Sequence, residues 1–189
     1  MTHIELQNLK LDLAVRTKKG IDFILAATIV WFIIAFIWSK EIDSYHKSVL
    51  TFMVGALLLP LAFILSKLLK TDWKIVNNPL QPLGLWLNFA QLFYFPFLVF
   101  VLLNLPEYFV MTYAIITGAH LFPYSWLYDD TIYAIMAGVI SASSLIIGLN
   151  ISLNNMFYIP LFIGFSLLIM FILLWLSIPK TNQKSNNIY

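Results

Sequence analysis

The 189-residue chain contains no cysteine, which excludes disulfides, thiolate metal sites and cysteine nucleophiles together and leaves the redox compartment open. Arginine occurs once, at Arg16, so there is no arginine-lined voltage-sensing helix. Charge of either sign is scarce: Asp, Glu, Lys and Arg make up 11% of the residues, against about a quarter in a soluble domain. The three histidines, His3, His46 and His120, are too scattered for a metal centre, and neither a metal nor a cofactor is expected. HExxH, GxSxG, a Walker loop and a carbonyl-filter motif are all absent. No soluble basic domain exists to hold a nucleic acid, which is not expected as a partner.

What fills the chain is apolar. Hydrophobic residues are 61% of it, and the mean hydropathy is +0.86. A soluble fold of this length could not bury so much apolar surface, so lipid is the expected solvent and the lipid bilayer the expected partner. A membrane-spanning helix needs about 20 mostly apolar residues. Six runs approach that length: 21–39, 48–66, 83–103, 106–122, 131–149 and 156–178. They predict an all-α, polytopic transmembrane bundle of six spans. Pro60 and Pro96 read as kinks, tolerated because neighbouring helices can satisfy the freed carbonyls. Pro106 suits the first position of a helix, with Glu107 favourable to its dipole, so spans three and four form a hairpin about Asn104–Pro106.

Nine of the eleven positive residues fall on one side if both termini are cytoplasmic; Lys40 and Lys47 are the exceptions. An even number of spans requires the termini to share a side, so count and charge agree. Trp38 falls at the outer face, and Trp73, Trp86, Trp126 and Trp175 at the cytoplasmic one, as expected of aromatic belts. Residues 1–20 do not span; Leu6, Leu9 and Leu13 share one helical face, with Lys10 and Arg16 away from it, and read either as an interfacial helix or as a solvated tail. Residues 179–189 read as a cytoplasmic tail, polar and disordered from Thr181 onward. No internal repeat supports an inverted-repeat transporter.

Polar side chains are costly in lipid and turn toward the bundle interior. Gly84, Asn88 and Gln91 on span three, and Tyr113, Thr117 and His120 on span four, each recur at i, i+4, i+7 and form one stripe. At 1.5 Å rise per residue, Asn88 and Gln91 lie roughly 8–12 Å from the cytoplasmic end. His120 and Thr117 lie in the same half. Together with the segment 123–130, which carries Tyr124, Trp126, Asp129 and Asp130, they define a cytoplasm-facing polar cavity. The plainer alternative, in which Asn88, Gln91 and His120 only hydrogen-bond across helices and hold the bundle together, is put ahead of a functional role for them. Asp129 and Asp130 read first as caps for span five, since adjacent residues point apart and make a poor catalytic pair. Tyr124, Trp126 and Tyr128 read first as an interfacial belt, and Asp22 as an interfacial cap. On span five, Ala137, Ser141, Ser144 and Gly148 form a small, weakly polar stripe beside a small-xxx-small row of Ala134, Gly138 and Ala142, which predicts a central helix closely packed on its neighbours.

The stretch TYAIITGAHLFPYSWLYDD, Thr112–Asp130, resembles the best-marked part of a family of small, functionally uncharacterised, multi-spanning bacterial membrane proteins. The resemblance implies a bacterial plasma membrane and carries no activity with it. Three functions are expected in this order: small-molecule or ion binding and transport through the cavity; a membrane enzyme on a lipid-type substrate with His120 as acid or base; and an interaction or sensor protein in which span five pairs with a partner or a second copy.

Overall fold

The computed structural model describes residues 2–186, which form helices joined by turns and loops, with no strand among them. Helix α1 (His3–Arg16) opens with a full capping box: the Thr2 hydroxyl accepts from the Glu5 amide and the Glu5 carboxylate from the Thr2 amide. It does not float at the surface. Leu13 is buried, and so is Lys10, whose ammonium lies 3.9 Å from the Trp126 ring centroid. A left-handed turn follows, with Lys18, Lys19 and Gly20 all at positive φ, and turns the chain into α2 (Ile21–Trp38).

Two helices are interrupted where proline requires it. Pro60 has no N–H for the carbonyl of Ala56 and its ring crowds that carbonyl; the second span accordingly breaks at Ala56–Leu57 into α3 (Ser44–Gly55) and α4 (Leu58–Leu69). Pro96 does the same to Leu92, and a 3-10 turn, Gln91–Tyr94, separates α5 (Gln81–Ala90) from α6 (Phe95–Asn104). The fourth run differs from expectation. Its helix α7 (Phe109–Ala119), entered through a 3-10 turn at Pro106–Tyr108, ends three residues early and is followed by a separate short helix, α8 (Phe122–Tyr128). Pro123 is the cause, because it cannot donate to Ala119. The last two helices are α9 (Thr131–Asn150) and α10 (Tyr158–Asn186). The expected disordered tail is helical as far as Asn186 and carries Pro179 inside the helix; residues 187–189 lie outside the described residues.

Five helical stretches are long and apolar enough to cross a membrane: Lys18–Trp38, Ser44–Leu69, Gln81–Asn104, Thr131–Asn150 and Leu153–Gln183. The interrupted α7 is not among them, so the sixth expected span is not a membrane-length helix. It is instead the best-enclosed element. Seven of its eleven residues, Phe109, Val110, Tyr113, Ala114, Ile116, Thr117 and Gly118, are buried. A helix sheathed in protein has no need to match the thickness of the hydrocarbon.

The packing order runs α4, α2, α10, α9, α7, with α5 and α6 applied loosely outside; α5 has no buried residue. The outer faces carry Phe36, Met53, Leu68, Phe93, Leu103, Ile146 and Leu176, each more than 60% exposed. So many large apolar side chains left outside, together with five helices of membrane length, suggest a membrane protein. Lipid is as apolar as leucine, so association inside it depends on close packing and on hydrogen bonds. Both are present. A Cβ on Gly118 would come within 2.5 Å of Ser141 Oγ, which shows how closely α7 and α9 meet. The Trp38 indole donates to Thr51 Oγ1 at 3.0 Å between α2 and α3.

Long-range bonds sort the helix ends into two groups. Ser48 Oγ donates to the Pro106 carbonyl, so the start of α3 sits beside the start of the α7 segment. At the opposite end, Arg16 meets Asp72, Lys18 meets the Leu69 carbonyl, Lys19 meets Asp130 and Ser177, and Tyr124 meets the Gly84 carbonyl. The short α7 segment therefore runs from one end of the bundle to the other.

Candidate functional site

The interruptions share one location. Gly20 in the left-handed turn, Gly55 and Leu58 flanking the Pro60 break, Gln91 at the Pro96 break and His120–Leu121 at the Pro123 break all line a single cavity of about 190 Å³. Each break removes part of a helix cylinder, and the missing parts coincide. Backbone that is not helical at membrane depth is tolerated where it faces protein or a cavity. Here it faces the cavity.

Six of the residues singled out in the sequence stand on its wall: Asn88, Gln91, Tyr113, Thr117, His120 and Tyr124. Asn88 Nδ2 lies 3.4 Å from the Gly84 carbonyl. That carbonyl also accepts from the Tyr124 hydroxyl at 2.9 Å, which ties α8 to α5. His120 holds Thr117 O through Nδ1 at 2.7 Å and meets the Tyr124 ring edge-on. Tyr113 packs on Trp31, Phe95 and Phe109. It fits only because residue 55 is glycine: a Cβ there would lie 3.0 Å from the tyrosine hydroxyl.

Three expected residues stand elsewhere. Trp126 is 52% exposed beneath Lys10 and does not line the cavity. Asp129 adopts the left-handed conformation that ends α8 and lines a second cleft with Lys10, Lys19 and Lys180. Asp130 caps α9 through the Ile132 amide at 3.0 Å, and its other oxygen meets Lys19 Nζ at 2.7 Å in an almost fully buried pair. Neither of these two aspartates shares the cavity with His120; the carboxylates on its wall are Asp22 and Asp72. Among the described residues no three His, Cys, Asp or Glu side chains come together as a metal site. On α9, Ala137, Ser144 and Gly148 are buried and Ser141 donates to the Ile115 carbonyl, but Gly138 and Ala142 are exposed and Ala134 is half-buried. A Cβ on Gly138 would meet nothing within 4 Å. One small-residue face of α9 is packed as expected, and the adjacent one looks outward.

The most informative wall residue is one the sequence presented as a simple cap. Asp22 is 2% exposed. Its Oδ2 accepts from Trp73 Nε1 at 2.6 Å and from Thr71 Oγ1 at 3.0 Å. Trp73 is in turn stacked on Phe23. Around it stand Tyr128 and Tyr133, whose rings are 5.6 Å apart, with Tyr124 stacked on Tyr128. Burial pushes the Tyr128 phenol up to about 12 and moves Tyr124 further in the same direction, so both remain neutral across the physiological range. An acidic residue one step inside a long apolar run was the available signal for this cluster; its tryptophan and tyrosine partners, far off in sequence, were not.

The comparisons with known proteins place the chain. A family model, described as a family of unknown function (DUF7010), matches residues 6–177. The chain belongs to that family. The matched region takes in nearly the whole bundle and every wall residue of the cavity, so the cavity lies wholly within the part that defines DUF7010. No curated protein and no solved structure matches the chain.

Proposed function

We propose that this DUF7010 chain is a membrane-embedded binding protein for a small molecule, which enters the cavity from the cytoplasmic end and is carried across the bilayer. The observation behind this reading is the convergence of three proline-linked helix breaks and the left-handed turn at Gly20 on one cavity. Interrupted helices leave backbone dipoles and polar side chains at membrane depth, and transporters build their sites from them. A merely structural bundle gains nothing from breaking three helices around one cavity. The end that gathers Arg16, Lys18, Lys19 and the 70–80 segment is the positive one, which supports its cytoplasmic placement in a plasma membrane. The α7 segment then serves as the sixth crossing, in a sheath of protein.

The test uses the full chain purified into nanodiscs. Bound small molecules are released and identified by mass spectrometry, from wild type and from Ala27→Phe, which puts a ring into the cavity. A compound present in wild type and lost from a folded Ala27→Phe protein is expected. Equal recovery from both, or none from wild type together with no movement of cell-extract solutes out of proteoliposomes, would refute the reading. Orientation is checked on the cysteine-free background. Single cysteines at Ser44 and Asn154 should react with an impermeant reagent in intact cells, and one at Asn77 should not.

A second reading rests on the outward Ala134–Gly138–Ala142 row, which would let two copies approach along α9. Oxidative cross-linking of a Gly138→Cys protein in membranes would reveal such a dimer.

A further inference from the structure

The following deepens the binding reading above and rests on it. Two carboxylates reach the cavity wall. Asp72 is exposed and paired with Arg16 at 3.1 Å, so it is already answered. Asp22 is not. The ion pairs of the described residues are Arg16–Asp72, Lys19–Asp130 and His46–Asp43, and none includes Asp22. Two lysines lie within four residues of it in sequence, yet both are committed elsewhere. Lys18 Nζ donates to the Leu69 carbonyl at 2.7 Å, and Lys19 Nζ donates to Asp130 and Ser177. The left-handed turn at Lys18–Gly20 is what turns these ammonium groups away. A buried carboxylate held only by neutral donors is stabilised in part, and an opposite charge beside it would offset much more of the cost of leaving water.

The rest of the wall says what that charge should be. No lysine or arginine lines the cavity, which disfavours an anionic ligand. The walls are aromatic: Phe23, Trp31, Trp73, Tyr113, Tyr124 and Tyr128. The Tyr124 hydroxyl is tied to a backbone carbonyl, so its ring is what remains to meet a ligand. Ring faces attract cations, best when water is excluded. A hard inorganic cation needs most of its shell filled by oxygens, whereas a poorly hydrated organic cation is also held by ring faces, which this wall offers beside its single uncompensated carboxylate. The volume agrees. A cavity of about 150 Å³ is enough to hold benzene, and this one is about 190 Å³.

We propose that the cavity takes a small organic cation, an amine or quaternary ammonium, with its charge on Asp22 and its alkyl groups against the rings at Trp31 and Tyr113. The test titrates the full chain in nanodiscs with three probes of one shape: choline, the neutral 3,3-dimethylbutan-1-ol and the anionic 3,3-dimethylbutanoate. Calorimetry and quenching of tryptophan fluorescence report binding. Choline should bind at least about tenfold more tightly than the alcohol, and Asp22→Asn should remove that advantage. Because Asp22 also holds Thr71 and Trp73, a second variant guards against simple misfolding. Trp31→Leu keeps that network and should weaken choline by more than it weakens the alcohol, since only choline loses a cation–ring contact. Alcohol binding equal to choline, or a choline preference untouched by both variants, would overturn the cation assignment and leave the cavity reading standing. Absence of binding by all three probes, in a protein from which no compound is recovered, would overturn both.

Discussion

Breaking the Lys19–Asp130 pair tests the account of how the bundle is assembled around its cavity. The pair joins residues 111 apart in sequence, its side chains are only 7% and 9% exposed, and the separation is 2.7 Å. Lys19 also sits at φ 56. That conformation costs a non-glycine residue on the order of 1 kcal/mol and persists only when its surroundings enforce it. The buried pair is what enforces it, helped by the Tyr133 hydroxyl donating to the Lys19 carbonyl. Lys19→Met leaves Asp130 buried without a cation, for which removal of one partner costs about 3–5 kcal/mol. The lower end is expected here, since Asp130 keeps its bond to the Ile132 amide. At about 2–4 °C per kcal/mol for a chain of this size, the midpoint of thermal unfolding should fall by roughly 6–12 °C. Asp130→Asn preserves an acceptor for the cap and should cost a similar amount by stranding Lys19. The double variant removes both charges and should recover about 2 kcal/mol of the summed loss. The assay is thermal unfolding in one detergent, followed by size exclusion and by circular dichroism. Additive losses in the double variant would refute the pair as the element that holds the turn.

Three further outcomes follow from the packing. Gly118→Ala pushes a methyl into Ser141 and Ile140 at under 3 Å, and should cost about 1–3 kcal/mol by the same assay; Gly138→Ala meets open space, and should be neutral or stabilising by up to about 1 kcal/mol. Ser144 Oγ is buried without a hydrogen-bond partner, so Ser144→Ala should raise stability by about 1 kcal/mol or leave it unchanged, and a clear loss would reveal an unrecognised partner. Thr51→Val strands the Trp38 indole N–H and should cost about 1 kcal/mol by the same assay.

Hydropathy, read locally, determined a great deal. Runs of apolar residues specify helices wherever lipid forbids unpaired backbone, and five of the six runs became membrane-length helices. Proline acts within four residues of itself, so Pro60 and Pro96 marked their breaks in advance. Stripes at i, i+4, i+7 were equally legible, because helical periodicity alone puts Asn88 with Gln91 and Thr117 with His120 on one face. Tertiary structure decided the rest. Pro123 ended α7 early, yet the path of the segment from Pro106, beside α3, to Tyr124, beside α5, depends on the helices that surround it. Asp22 became a wall residue because Thr71 and Trp73 fold over it, some fifty residues along the chain. Lys19 found Asp130, not its near neighbour Asp22, because of a left-handed turn that no local preference of lysine favours. Which small-residue face of α9 was packed and which looked outward was also beyond the sequence, since both carry small residues at helical spacing. Local periodicity fixes the face a side chain shares; only the arrangement of distant helices fixes what that face meets.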